Sequence, residues 1–126
     1  MNAITKFLFF CCALGGFSAV ALGAFGAHAL KARLTHEALA VYQTAVQYQF
    51  WHALAMGLVA LLLLHFPASN ALKWAGVLML AGIVLFSGSL YALVFSDVRS
   101  WGMITPVGGL AWLVGWVLFA WAVLRF

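Results

Sequence analysis

The sequence predicts an all-α fold, a four-helix transmembrane bundle with up-down topology. Of the 126 residues, 67% are hydrophobic and only 6% are charged, whereas soluble domains carry about a quarter charged residues. A membrane-spanning helix needs about 20 apolar residues, so four helices use roughly 80 residues and leave short loops. This composition excludes a soluble enzyme and a nucleic-acid-binding protein. It predicts a single membrane domain over residues 1–126, with the lipid bilayer as its immediate partner.

The first two predicted helices cover about residues 7–30 and 35–66. The first follows Lys6, and its apolar run exceeds the ~15 residues of a signal-peptide core, which predicts a retained span. The second begins at Thr35, a favourable N-cap, with Glu37 in the first turn, where the helix dipole favours an acid. It ends before Pro67, because proline lacks the N–H that a continuing helix needs.

The last two predicted helices cover about residues 71–95 and 105–124. The short turn Pro67–Asn70 requires the second and third helices to be antiparallel neighbours. The polar stretch Ser96–Ser100 ends the third helix, and Thr105–Pro106 is typical of an N-cap followed by proline in the first helical position. Both termini are therefore expected on one side of the membrane.

The distribution of charge favours termini in the cytoplasm. Lysine and arginine divide equally between the two sides, with Lys6, Lys73 and Arg125 on the side of the termini and Lys31, Arg33 and Arg99 on the other. Both acids, Glu37 and Asp97, lie with the second set, whereas the N-terminal amine lies with the first. We therefore expect the side of the termini to face the cytoplasm.

Small residues recur at helical spacing in the first and fourth predicted helices. The first helix carries Gly15, Ala19, Gly23 and Ala27, with Gly26 widening the same face, and the fourth carries Gly108 and Gly115. In lipid, small residues let two helix backbones approach closely, and this contact takes the place of the hydrophobic force. These faces predict either packing within the bundle or docking of another membrane protein.

Most polar side chains of the predicted spans fall in the leaflet next to the loops that carry Lys31 and Asp97. Counted along the helices, His28 lies about 3 Å inside the membrane, Tyr91 about 5 to 6 Å and His52 about 9 Å. The candidate polar pocket comprises His28, Gln47, Tyr48, His52, Ser87, Ser89, Tyr91 and Thr105. Either these groups hydrogen-bond one another and hold the helices together, or they line a pocket for a small polar molecule or a lipid headgroup. We expect His52 to point between helices, with Tyr48, Ser87 or Tyr91 within hydrogen-bonding distance.

The sequence offers no arrangement typical of catalysis, metal binding or haem binding. The two carboxylates lie at helix ends or in loops, so no acid is available to orient a membrane-embedded histidine. Cys11 and Cys12 are adjacent and lack the spacing of a metal site. His28 and His52 differ in depth by about 6 Å, which disfavours a haem between them. We therefore predict a protein that is not an enzyme and uses no cofactor or metal.

Several short motifs resemble those of the domain-of-unknown-function 423 family. They are Gly23–His28, Tyr42, Tyr48–Gln49, His52–Leu54, Phe86–Tyr91, Thr105–Gly109 and Gly115–Trp116, and together they extend over nearly the whole chain. Members of this family are small bacterial inner-membrane proteins related to the eukaryotic transmembrane protein 256. The resemblance implies a four-helix protein of the plasma (inner) membrane, and it assigns no catalytic residues.

From these features we expect a non-enzymatic integral membrane protein that acts as an accessory or assembly partner and packs through its small-residue helix faces. Its partner would be another membrane protein or a second copy of the chain. The alternative is a binder or transporter of a small polar solute or lipid headgroup, which would use the polar pocket in one leaflet.

Overall fold

The computed structural model describes residues 1–126, and all of its regular structure is helical. Four helical spans are long and apolar enough to cross a membrane. In chain order, these first to fourth spans are Ala3–Leu30, His36–His65, Asn70–Ser96 and Arg99–Leu124. The predicted four-helix transmembrane fold is therefore confirmed.

Two spans contain a π-helical turn, and one begins with a 3₁₀ turn. The first span consists of α1, Ala3–Phe25, and a π-helical turn, Gly26–Leu30; the second span is α2, His36–His65. The third span consists of α3, Asn70–Gly82, a π-helical turn, Ile83–Ser87, and α4, Gly88–Ser96. The fourth span consists of a 3₁₀ turn, Arg99–Met103, and α5, Thr105–Leu124.

Side-chain caps explain where α1 and α2 begin, whereas α5 begins without one, because Ile104 occupies its cap position and Thr105, the predicted cap, is its first helical residue. The first helix starts at Ala3, earlier than the predicted residue 7, because Asn2 Oδ1 accepts a hydrogen bond of 3.0 Å from the Thr5 N–H. The second helix has the predicted cap, since Thr35 Oγ1 accepts from the Ala38 N–H at 3.1 Å. At the other end of the third span, Asp97 has a left-handed backbone, with φ of 57°, which ends α4.

The second span occupies the centre of the bundle. In the most apolar 18-residue stretch of each span, 50% of the second span is buried, compared with 11% of the first span. Helix α1 packs mainly on α2, and α3 packs on both α2 and α5, so α1 and α5 lie at opposite edges. Long aromatic side chains, including His52 and Trp112, bring α2 into contact with α5.

The bundle has an apolar half and a polar half. We call the end with the chain termini and the Phe66–Ser69 connection the turn end, and the end with the Lys31–Thr35 and Asp97–Val98 connections the loop end. The apolar core reaches from the middle of the bundle to the turn end, with Leu8, Leu63 and Leu72 among its buried residues. The hydrogen bonds that Tyr42, Ser87 and Ser89 make to neighbouring spans lie in the other half.

Candidate functional site

Gln49 is the centre of a hydrogen-bond network that joins three spans. Its side chain is 4% exposed. Its amide nitrogen donates to the Gly15 carbonyl at 3.0 Å and to Ser18 Oγ at 2.8 Å, both in the first span. Its amide oxygen accepts from the Tyr91 hydroxyl of the third span at 2.7 Å. A buried amide is stable in this position because all three of these bonds compensate for its loss of water.

Tyr42 makes a second connection between the first and second spans. Its side chain is fully buried, and its hydroxyl donates to the Leu22 carbonyl. Its ring lies against Gly26, where a Cβ would come within 3.0 Å of the ring atom Cδ1. The Tyr42 and Tyr91 rings have their centroids 5.7 Å apart, so this contact borders the Gln49 network.

Two serines of the third span bond to the neighbouring spans. Ser87, which ends the π-helical turn of this span, donates to the Ala45 carbonyl of α2 at 2.7 Å. Ser89 shares a 2.5 Å hydrogen bond with Thr105 at the start of α5. The third span is thereby connected to the second and to the fourth by separate side chains.

The second, third and fourth spans meet in an aromatic cluster. This cluster comprises Tyr48, His52, Phe86, Trp112 and Trp116. The His52 and Trp112 rings stack with their centroids 3.7 Å apart and their planes 6° apart. His52 Nδ1 lies 2.8 Å from the Tyr48 carbonyl, and Trp116 Nε1 donates to His52 Nε2 at 3.2 Å.

The hydrogen bonds of the aromatic cluster define the state of His52. A ring that donates through Nδ1 and accepts through Nε2 is the neutral imidazole. The Trp112 indole N–H also has a partner, the Met79 carbonyl at 3.0 Å. The cluster lines an open groove of about 700 Å³, whose other lining residues, Pro106, Gly109, Leu110 and Leu113, come from α5.

The structure does not bring the candidate pocket residues into one cavity. Tyr48 and His52 belong to the aromatic cluster, whereas Tyr91 joins Gln49, Ser87 bonds to α2, and Ser89 bonds to Thr105. His52 bonds to the Tyr48 backbone and to Trp116 rather than to the side chain of Tyr48, Ser87 or Tyr91.

His28 and Gln47 are exposed and lie outside these hydrogen bonds. The side chains separate because α2 is central, so the residues around its circumference face different neighbouring spans. Ligand binding by any of the eight candidates stays a prediction.

The small-residue faces are used inside the chain. A Cβ at Gly15 would lie 3.0 Å from the Ala53 Cβ, and one at Gly23 would lie 3.5 Å from Val46 Cγ1. Ala19 is buried, whereas Ala27 is exposed. In the fourth span, a Cβ at Gly108 would lie 2.8 Å from the Phe86 Cα, and one at Gly115 would lie 3.3 Å from the Leu78 Cβ.

Sequence reasoning did not select several residues that join the spans. The candidate pocket and the small-residue faces did not include four side chains that bond between spans, namely Gln49, Ser18, Tyr42 and Trp112. They also did not include two closely packed glycines, Gly57 and Gly76. A Cβ at Gly57 would lie 2.6 Å from Cys12 Sγ, so this glycine is as close to the first span as the predicted ones. The cost of placing an amide in a membrane was the signal that could have identified Gln49.

All buried side-chain nitrogen and oxygen atoms have a hydrogen-bond partner in the chain. No three His, Cys, Asp or Glu side chains are grouped closely enough to hold a metal ion. The arrangement can therefore fix helix positions through bonds between spans. The aromatic groove is lined by the rings of Tyr48, His52, Phe86, Trp112 and Trp116.

The fold and these contacts define a multi-pass integral membrane protein whose spans are joined by polar groups in one half of the bundle. The chain belongs to the family described as protein of unknown function (DUF423), whose model matches residues 22–109. The resemblance inferred from the sequence motifs is therefore confirmed.

Relatives align over most of the chain. It is 42% identical over 114 residues to the UPF0382 membrane protein YwdK of Bacillus subtilis, covering 90% of this chain and 93% of that protein. It is 41% identical over 114 residues to the UPF0382 inner membrane protein YgdD of Escherichia coli K12, covering 90% of this chain and 86% of that protein. No solved structure matches the chain. Together with the four spans, these relatives confirm the predicted multi-pass inner-membrane localisation.

Proposed function

We propose that this protein is a non-enzymatic accessory or assembly partner of another integral membrane protein. The observation that carries the proposal is that its interior polar side chains bond to partners within the chain, with no buried side-chain nitrogen or oxygen left unpaired. Such an interior serves to hold the four spans in place. The outer surface is then the part of the molecule available to a partner.

The outward face of the first span is the docking face that we favour. This span lies at one edge of the bundle, and its glycine face is covered by the second span. Phe7, Phe10 and Phe17 are exposed on its other side. Aromatic side chains are enriched in protein interfaces because they bury a large, rigid area at low entropic cost.

Site-specific photo-crosslinking in native membranes tests this proposal. A photoreactive phenylalanine derivative replaces either Phe17 in the first span or Val117 in the fourth, whose side chains are 75% and 67% exposed. Both positions lie about 18 to 20 Å from the loop end, so they sample similar depths in the bilayer. We expect a discrete crosslinked product from position 17 and none from position 117.

The molecular mass of the crosslinked product identifies the partner. Twice the mass of the chain would indicate a second copy, and any other discrete mass would indicate a different membrane protein. If neither position gives a product at native expression levels, the accessory role is wrong. A product from position 117 alone would contradict the docking face.

A second candidate function is the binding of a small solute or lipid headgroup at the aromatic groove. One observation favours it: the Tyr48 carbonyl has a partner in His52, but the Tyr48 hydroxyl has none within the chain. Native mass spectrometry of wild type and Tyr48→Phe separates the two functions. Loss of a bound small molecule in the variant, with unchanged crosslinking, would favour the binder.

A further inference from the structure

A concave pocket opens at the turn end, away from the polar network and the aromatic groove. It has a volume of about 570 Å³ and lies between the turn that joins the second and third spans and the end of the fourth span. Its polar lining consists of His65, Ser69, Asn70 and Arg125, and Trp121 forms part of an apolar wall. Pockets of this size are typical of small-ligand sites.

Aromatic contacts hold Arg125 at this pocket. The Phe126 ring stacks on Phe66 of the turn, with ring centroids 3.7 Å apart and planes 6° apart. The guanidinium carbon of Arg125 lies 5.3 Å from the centroid of the Trp121 ring. A cation–π contact does not consume the guanidinium N–H groups, which can still bind an anion in bidentate fashion.

The charge at the turn end favours an anionic ligand. Lys6, Lys73 and Arg125 all lie at this end of the bundle. Both acidic side chains, Glu37 and Asp97, lie at the loop end instead. No aspartate or glutamate side chain therefore lies near the basic side chains at the turn end.

The position of the pocket favours a lipid as the source of this anion. The pocket lies at the ends of three membrane spans, which is the depth of phospholipid headgroups. Trp121 is 54% exposed on the outside of the fourth span, so the apolar wall continues onto the surface that faces lipid chains. A molecule with both a charged head and an apolar tail matches the polar lining and the apolar wall together.

We infer that this pocket binds the headgroup of one anionic phospholipid. Arg125 contacts the phosphate oxygens, Asn70 and Ser69 contact the remaining polar atoms of the headgroup, and the upper acyl chain passes over Trp121. This inference is independent of both proposed functions. The pocket does not use the first span, on which the accessory role depends, and it lies toward the other end of the bundle from the aromatic groove.

Native mass spectrometry of the full chain in neutral detergent tests the inference, with phosphatidylglycerol and phosphatidylcholine as probes. We expect wild type to retain one phosphatidylglycerol in preference to phosphatidylcholine. Arg125→Gln should weaken phosphatidylglycerol binding about fivefold, the effect of one basic residue at an anionic membrane surface. Lys73→Gln is the matched control, because Lys73 has the same charge at the same end but does not line the pocket. This control should retain wild-type binding.

Three results would overturn the inference. Equal losses in Arg125→Gln and Lys73→Gln would mean that diffuse surface charge attracts the lipid. Displacement of the lipid by an equal concentration of inorganic phosphate would mean that the pocket holds a free anion. Equal retention of the two lipids by wild type would mean that no anionic site exists.

A second measurement uses the wild-type protein alone, so its result does not depend on whether the Arg125→Gln variant folds. Raising the ionic strength screens charge interactions at an exposed site. We therefore expect salt to weaken the retention of phosphatidylglycerol and leave that of phosphatidylcholine unchanged. Retention of phosphatidylglycerol that is insensitive to salt would contradict a role for Arg125.

Discussion

Replacing Gln49 with leucine should destabilise the bundle more than any comparable change of a polar residue on its surface. Leucine has a similar volume, so the substitution removes hydrogen bonds and leaves the packing nearly intact. Gln49 bonds to Gly15 and Ser18 of the first span and to Tyr91 of the third. All of these bonds are lost together.

The expected loss of stability follows from these contacts. Hydrogen bonds between membrane helices contribute about 0.6 kcal/mol each, so the three bonds of Gln49 correspond to about 2 kcal/mol. The Tyr91 hydroxyl also loses its acceptor, and leaving a half-buried hydroxyl unpaired adds about 1 kcal/mol. We therefore expect the free energy of unfolding to fall by about 2 to 3 kcal/mol.

Denaturant titration in mixed micelles, followed by tryptophan fluorescence, measures this difference. Gln47→Leu is the matched control, because this amide lies two residues away and is exposed; its effect should stay within about 0.5 kcal/mol. A double-mutant cycle with Tyr91→Phe should give a coupling of about 0.6 to 1.7 kcal/mol. A coupling of zero, or an equal loss in Gln47→Leu, would refute the assignment of Gln49 as the interhelical centre.

Three further predictions concern packing, the aromatic cluster and topology. Gly26→Leu should cost about 1 to 3 kcal/mol, because its side chain would meet the buried Tyr42 ring, whereas Gly16→Leu enters open space and should leave the melting temperature unchanged. His52→Leu should lower the free energy of unfolding by about 1 kcal/mol or more, because the Trp116 indole N–H loses its acceptor. His65→Leu, at an exposed position, should have little effect on the free energy of unfolding. Equal effects of the two substitutions would contradict the proposed role of His52 in the aromatic cluster. Single cysteines at Ser69 and Ser100, with Cys11 and Cys12 replaced, should be labelled from opposite sides of the membrane, position 69 from the cytoplasm; labelling from the same side would exclude four spans.

The candidate site was only partly predictable. The chain alone predicted that the polar residues lie in one half of the bundle, and the hydrogen bonds of Ser87, Ser89 and Tyr91 lie there, whereas His52 bonds to Trp116 near the middle of the bundle. Depth along a helix can be counted from the sequence because each residue adds a fixed rise. The neighbour that each side chain faces cannot be counted in this way. One pocket was therefore expected where the structure has four separate groups of contacts, namely the aromatic cluster, Gln49–Tyr91, Ser87–Ala45 and Ser89–Thr105.

The sequence by itself determined that the chain lies in a lipid bilayer, how many spans it has and where most of them end. A bilayer requires every span to satisfy its own backbone hydrogen bonds over about 20 apolar residues, and this requirement acts locally, so Thr35, Pro67 and Thr105 mark boundaries without knowledge of the fold. Tertiary structure alone decided that α2 is central and that α1 and α5 lie at opposite edges. It thereby decided which small residues meet a neighbour: Gly26 contacts Tyr42, whereas Gly16, ten residues earlier, faces open space. The physical reason is that an apolar side chain is about equally stable against lipid and against a neighbouring helix. Only the three-dimensional fit between specific helix surfaces therefore decides which of the two it contacts.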